Sequence, residues 1–210
     1  MTTTILKTES SNPKATVVPI DELRPHEKGS PLYLELLKQE ILRDGKLKYP
    51  LIADQNTHVI LDGMHRWLAL KSLGYRLAPV IGVNVYQNPR VRVGTRRIHE
   101  YMNNGENMII ERVLHAGLTG QLMQPRSTRH FFPFNRHQLI NYPLTMLNKG
   151  PPRNVSQYLA KMTPKECSLA ITHWLDEISE ELDFLDKRKV QVEKERDEFL
   201  NRIKTVTRSY

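Results

Sequence analysis

Apolar residues along this chain alternate between the period of a strand and the period of a helix. Residues 16–20 (TVVPI) form a short strand-like run, and the polar stretch DELRPHEKGSP, broken by Pro and Gly, follows as a loop. From Leu32 to Arg43 the apolar positions Leu32, Leu36, Leu37 and Ile41 fall near helical spacing, with Asp44-Gly45 as the expected stop. Two short apolar runs, YPLIAD and HVILD, flank QNT and predict a buried pair of strands. Residues 64–73 return to helical spacing and end at Gly74, a left-handed cap position. APVIGVNVY predicts another strand. Beyond it the pattern predicts a helix over 98–117, an ordered loop at QPRSTRHFFPF and a linker at NKGPPRN (148–154).

The order strand, helix, strand, strand, helix, strand specifies a compact α/β (α+β) domain with a small mixed sheet. Its expected extent is residues 1–145, with 1–15 as a loose N-terminal arm, followed by a linker over 146–160 and a helical tail over 161–210. In that tail Ile171, Leu175, Ile178, Leu182, Leu185, Lys189, Val192, Arg196, Phe199 and Ile203 recur alternately by four and three. That is the seam of a coiled coil, interrupted by two basic residues. A homodimer or a helical hairpin is the expected use, and docking on the chain's own core is the alternative.

Composition narrows the class. The 210 residues are 39% hydrophobic, and the mean hydropathy of −0.51 fits a globular core with solvated surface helices. No apolar run has the length of a membrane span. MTTTILKTESSNPK lacks the basic start and apolar centre of a signal peptide. Cys167 is the single cysteine, so there is no internal disulfide framework and a cytoplasmic protein is expected; its place in the tail reads as helix packing. The eight histidines show no two-ligand spacing on one helix, which argues against a dedicated zinc site. Residues 1–145 hold 19 Lys and Arg against 12 Asp and Glu, whereas residues 146–210 hold 12 against 11. The net charge of +8 therefore sits in the first part, where it suits an anionic ligand such as a nucleotide or a nucleic-acid backbone. The near-neutral tail disfavours DNA as its partner.

The most informative chemistry lies in LDGMHRW, residues 61–67. A strand ending at Leu61 would project Asp62 from the edge of the sheet, where α/β sheets usually keep their ligands. Gly63 would let the backbone turn and approach a ligand closely. The helix that follows begins with unpaired N–H groups and a positive dipole end, to which Arg66 and His65 could add donors for a phosphate. Asp62 could hold Mg²⁺, orient a substrate hydroxyl or anchor the turn. Alone, Asp-Gly-x-His-Arg is only moderately specific.

Together with its surroundings, VILDGMHRWLALKSLGYRLAPV resembles the strand–turn–helix hallmark of the ParB/sulfiredoxin superfamily. Sulfiredoxins place a catalytic cysteine in this turn; here Met64 precedes His65. The chromosome-partitioning branch carries a Gly-Glu-Arg-Arg type motif and helix-turn-helix modules, which this chain lacks. The third branch, the free L-serine kinases, is matched by two further segments: ELRPHEKG, with Pro25-His26-Glu27, and RSTRHFFPF, with Ser127-Thr128-Arg129-His130.

The resemblance implies roles. Glu27 is the general base that takes the proton of serine's hydroxyl, and Asp62 assists at the reacting centre. Gly63, Met64, His65 and Arg66 cradle the donor phosphates. Ser127, Thr128, Arg129 and His130 contact the substrate or the transferring phosphate. The implied reaction is Mg²⁺-dependent phosphorylation of free L-serine, or a related hydroxylated metabolite, to O-phospho-L-serine. ADP or ATP is the donor, and RSTRHFFPF looks most like the ADP-using archaeal members. The chain departs from that branch in having Met64-His65 where two histidines are usual. It also has Thr95-Arg96-Arg97 where an aromatic substrate wall is usual, which points to a more acidic acceptor. The tail lies outside the family's minimal domain. The alternatives are a ParB-like nucleotide-dependent DNA-binding protein and an inactive scaffold that recruits partners through its tail.

Overall fold

Alternation along the central strands decides what each face of the sheet buries. The computed structural model describes residues 13–95 and 108–207, in two compact units, Met1–Pro164 and Lys165–Tyr210. In the first unit, β1 (Thr16–Pro19), β3 (Leu51–Asp54), β4 (Ile60–Asp62) and β5 (Leu77–Val83) form a mixed sheet in the order β1-β5-β3-β4. β5 runs parallel to β3 and antiparallel to β1, and β3 pairs antiparallel with β4. Leu51, Ala53, Ile60, Ala78 and Val80 face a core shared with Leu34, Trp67 and Leu68. Ile52, Leu61, Ile81 and Val83 face a second core with Val113 and Leu114. Both faces are covered, which is why these strands read as short continuous apolar runs.

Helix α1 (Pro31–Asp44) starts on Ser30, whose hydroxyl accepts a bond from the Tyr33 amide, and stops at left-handed Gly45. Helix α2 (Met64–Ser72) is shorter than expected by one residue; Leu73 is its cap, and Gly74 follows at φ 88°. Helix α3 (Ile110–Thr119) ends at left-handed Gly120. It covers the later part of the helix expected at 98–117 and runs two residues past it; 108 and 109 are not helical, and residues 96–107 fall outside the described ones. The mixed α/β architecture is the expected one.

Two expectations are corrected. The loop expected at QPRSTRHFFPF contains a strand, β7 (Thr128–Phe131), paired antiparallel with β6 (Arg92–Thr95). Its four residues include three polar ones, so nothing but the partner strand marks it. The segment expected as a linker, 146–160, belongs to the first unit. A two-residue pair, β2 (Lys46–Leu47) with β8 (Tyr142–Pro143), leads into it. The Gly150 amide bonds to the Gly74 carbonyl, the Arg153 amide to Ser72, and the Arg153 side chain pairs with Asp21. Prolines in such a strap reduce the entropy lost on ordering it, so Pro and Gly here mark a fixed path across the surface. In the second unit, α4 (Pro164–Thr207) is one continuous helix of 44 residues. No described helix is long and apolar enough to cross a membrane.

The turn that delivers β4 rests on Asp54, whose residue is fully buried. Its carboxylate accepts from the amides of Asn56, Thr57 and Val85, and from the Thr57 hydroxyl at 2.8 Å. Removing it strands the buried Val85 amide and three part-buried donors of the turn, a buried one costing about 1–3 kcal/mol. Asp54→Ala is therefore expected to lose at least ~3 kcal/mol of stability in urea unfolding; a loss below ~1 kcal/mol would contradict this role for the turn.

Candidate active site

The loop after β1 carries His26 and Glu27 and is fastened along its whole length. The Arg24 amide bonds to the His58 carbonyl, and the Ile60 amide to the Arg24 carbonyl, so Arg24 makes an isolated parallel bridge just before β4. The Met123 amide bonds to the His26 carbonyl, and the Lys28 amide to Met123. On the other side the Gly29 amide bonds to Tyr158, and the Ala160 amide to Gly29. A Cβ at position 29 would strike Leu68 Cδ1, so glycine lets the loop lie on α2 without displacing that side chain.

His26 is buried and makes two hydrogen bonds. Its Nδ1 is 2.6 Å from the Ile60 carbonyl and its Nε2 is 2.9 Å from Thr128 Oγ1. A carbonyl only accepts, so Nδ1 carries the proton and Nε2 accepts from Thr128. Burial lowers the His26 pKa to about 4, against the opposing pull of the Ile60 carbonyl and Asp62; the ring is neutral at pH 7. These bonds join all three sequence motifs. His26 belongs to RPHEKG, Ile60 leads into Asp62, and Thr128 belongs to RSTRH. The His130 ring sits edge-on to His26 at 5.4 Å, and Phe132 and Phe134 continue the stack behind it.

Glu27 lies beside His26, its carboxylate 3.9 Å from Nε2 and its side chain 12% exposed. Asp62 ends β4, and the Arg66 guanidinium reaches back to it at 3.0 Å. Burial pushes the Asp62 carboxyl up, but Arg66, then Arg136 and His130, outweigh it and hold the group below the usual carboxylate range. Gly63 caps α2 at φ 92°, and no side-chain hydrogen bond caps this end. The first amides of α2 are therefore available to an anion. A Cβ at Gly63 would meet the Arg66 guanidinium at 2.9 Å, so this glycine also gives Arg66 its place.

His65 also has a structural part that the sequence did not show. Its Nε2 accepts the Ser30 amide at 2.8 Å, so that nitrogen offers no proton to a phosphate. Burial, then Arg126 and Arg66, lower its pKa to about 3. The ring lies edge-on to Tyr33 at 4.7 Å. It pins the Glu27 loop to α2. Met64 is buried in the core and can meet a ligand only through its backbone. Ser127 donates its hydroxyl to the Gln124 carbonyl and shapes the turn before β7. Strand alternation divides the rest of that motif. Thr128 and His130 are buried toward His26, while Arg129 takes the opposite face with its guanidinium 5.2 Å from the Phe131 ring. Thr95 pairs with Thr128 in the β6–β7 register; Arg96 and Arg97 lie outside the described residues.

Two arginines were missed by the sequence reading. Arg136 acts on Asp62 and on His137, and Arg126 acts on His65 and Tyr33. Arg126 opens the RSTRHFFPF motif but was given no role there, and Arg136 lies just beyond it. Among the described residues no three His, Cys, Asp or Glu form a metal cage. The ionised Asp62 and the nearby Glu27 are the oxygen donors present. That set suits Mg²⁺ carried in on a nucleotide's phosphates, an ion usually held by one or two carboxylates and the substrate.

The architecture can now be set against known proteins. A structure of a free serine kinase in complex with AMP superposes with a TM-score of 0.55 at 17% identity, covering 66% of this chain and 95% of the other. A C-terminally truncated SbnI from Staphylococcus aureus gives a TM-score of 0.51 at 16% identity, covering 69% and 92%. The fold is the ParB/sulfiredoxin-like fold of the free serine kinases. In sequence, the chain is 32% identical over 74 residues to an ATP-dependent L-serine kinase of Staphylothermus marinus, covering 33% of this chain and 29% of the relative. It is 36% identical over 67 residues to the ATP-dependent L-serine kinase SbnI of S. aureus, covering 30% and 26%. A ParB-like protein of Sulfolobus acidocaldarius is 40% identical over 74 residues, covering 34% and 35%. The chain thus spans about a third or less of the curated relatives it matches. No family model matches.

The two neutral histidines make stability depend on acid. Their unfolded pKa is near 6.5 and their folded values are about 4 and about 3. The unfolded chain therefore binds more protons below pH 6.5, and stability falls as pH drops from there toward 4. The slope contributed by each ring approaches ~1.4 kcal/mol per pH unit. Urea unfolding at pH 7, 5.5 and 4.5 checks this. The expected outcome is a steep fall, shallower in His65→Gln; equal slopes in the two proteins would contradict a buried neutral His65.

Proposed function

We propose that the chain is a phosphotransferase that moves the terminal phosphoryl group of ADP or ATP to the hydroxyl of free L-serine or a related hydroxylated metabolite. The observation that carries this reading is the convergence of three motifs on His26, which sets Glu27, Asp62–Arg66 and Thr128–His130 around one space. The kinase names of the relatives and structural neighbours support it.

Glu27 is the general base. It accepts the proton of the acceptor hydroxyl as that oxygen attacks the terminal phosphorus and the bond to the bridging oxygen breaks, releasing AMP or ADP. The neutral His26 adds no positive charge beside it and fixes its backbone. The free amides of α2 and the Arg66 fork hold the donor phosphates, and Thr128 and His130 form the wall behind the acceptor. Arg129, on the far face, takes no part. Mg²⁺ bound with the nucleotide would be held by Asp62 and would neutralise phosphate charge, leaving Glu27 to take the proton. Phosphoryl transfer asks for positioning and charge neutralisation more than for covalent chemistry, and these residues provide both.

The DNA-binding alternative is weaker. Among the described residues α3 leads to a turn and β7, not to a second, groove-reading helix. The second unit extends the proposal. On α4 Leu175, Leu182, Val192 and Phe199 are exposed along the seam, whereas flanking charges are matched within the helix, as in Lys187–Asp183 and Arg188–Glu195. We assign that seam to a second copy of this chain. Light scattering should give twice the chain mass, falling to the monomer in Leu182→Glu; a wild-type monomer at micromolar concentration would contradict the assignment.

Catalysis is tested by following phosphoserine formation with Mg²⁺, L-serine and either nucleotide. Glu27→Gln is expected to lower turnover by roughly 10²–10⁴-fold with nucleotide affinity little changed. Full activity in this variant, or no turnover of any hydroxy-amino acid by the wild type, would overturn the assignment.

A further inference from the structure

The loop that carries Glu27 is paired along both of its edges. On one edge Glu27 and Met123 form a parallel bridge, made by the Met123 amide on the His26 carbonyl and the Lys28 amide on the Met123 carbonyl, each at 2.9 Å. On the other edge Gly29 and Leu159 form a second parallel bridge. There the Gly29 amide donates to the Tyr158 carbonyl at 2.8 Å, and the Ala160 amide donates to the Gly29 carbonyl at 2.9 Å. Residues 26–29 are thus the middle line of a small three-line ladder. One outer line, Tyr158–Ala160, belongs to the stretch expected as a linker.

That outer line is itself anchored. Val155, just before it, is buried in the first core. The Tyr158 ring stands edge-on to Trp67 at 5.0 Å, and the Lys71 ammonium lies 4.8 Å from the Trp67 ring and 5.8 Å from the Tyr158 ring. Trp67 cannot shift easily, since it is buried and its indole N–H donates to the Ile20 carbonyl at 2.9 Å. The ladder therefore ties the Glu27 loop to the body of α2.

We propose that Tyr158–Ala160 is a positioning element of the active site, with Ala160 as the positioning residue that sets, through Gly29, where Glu27 stands against the acceptor hydroxyl. The inference rests on the phosphotransferase reading above and adds to it a part that lies outside all three motifs. Gly29 follows Glu27 by two residues, so moving its carbonyl moves the backbone of the base. Proton transfer requires hydrogen-bond reach, whereas the donor phosphates are assigned to the α2 amides and Arg66. Loss of the Ala160 amide therefore acts on turnover and spares nucleotide affinity.

The test compares full-length wild type with Ala160→Pro, Ala160→Gly, Tyr158→Ala and Val80→Ala. Phosphoserine formation with Mg²⁺, nucleotide titration and amide hydrogen exchange are measured on each. Proline removes the amide and sets its ring against the Gly29 carbonyl; Leu159, at ψ 146°, already has the extended backbone that a following proline requires. Ala160→Pro is expected to lower kcat roughly 10–10²-fold, the scale of a misplaced catalytic group, with nucleotide affinity within about twofold of wild type. Its Gly29 amide should lose protection while the amides of β5 keep theirs. Ala160→Gly keeps the amide and should restore most of the turnover. Val80→Ala, a core loss on β5, should destabilise the protein without lowering kcat. Tyr158→Ala frees the segment from Trp67 and should show a smaller loss of kcat of the same kind; it decides the matter if the proline variant does not fold. Turnover within about twofold of wild type in the folded variants at 158 and 160, an equal loss in Ala160→Gly or Val80→Ala, or unchanged Gly29 protection would overturn the proposal. A wild type that makes no phosphoserine sinks the kinase reading; the exchange of Gly29 then decides alone whether this segment holds the loop.

Discussion

The buried hydrogen bonds of His26 are the constraint on which the site depends. One imidazole ties the start of β4 to β7 and holds the loop that carries Glu27 between them. A residue with one donor and one acceptor on opposite edges is needed here, because Ile60 offers only a carbonyl. Protonating the ring would give Nε2 a hydrogen aimed at the Thr128 hydroxyl and place a charge in an apolar surround. Burial therefore fixes the neutral form, and the neutral form fixes the geometry. Losing either bond would leave a buried polar group unsatisfied, at a cost of about 1–3 kcal/mol.

Around this join the remaining parts need only modest support. His65 accepts the Ser30 amide and so closes the far end of the same loop against α2. Gly29 allows that contact, and the strap from Leu147 to Ala160 presses on it from outside, with Tyr158 edge-on to Trp67 at 5.0 Å. Asp62 remains ionised because guanidinium groups outweigh its burial. Carboxylates, a helix end and arginines are thus held in fixed places, which is what the proposed phosphoryl transfer would require.

Parts of this were legible in the sequence for identifiable reasons. LDGMHRW announces itself because a strand end, a turn glycine and a helix start are all local features, and the structure places Gly63 at φ 92° as that pattern demands. Pro25-His26-Glu27 carries no local signal; it became visible only through resemblance to the serine kinases. The division of Ser127-Thr128-Arg129-His130 between two faces was hidden, because β7 owes its existence to pairing with Arg92–Thr95. That His65 also pins the Glu27 loop was hidden, since the Ser30 amide it accepts lies 35 residues away. Arg136 lies outside every motif, and Arg126, although it opens RSTRHFFPF, was given no role because its action on His65 is a tertiary effect. The Pro- and Gly-rich 148–154 stretch looked like a linker because composition reports the entropy of the free chain and not the bonds it makes when folded.

The most direct test of the central claim is nitrogen-15 NMR of the histidine rings in the full-length protein as pH is lowered. The account predicts His26 as the Nδ1-protonated tautomer, with Nε2 bare and no titration above pH ~5. A His26 ring that titrates near 6.5, or that carries its proton on Nε2 at neutral pH, would contradict it.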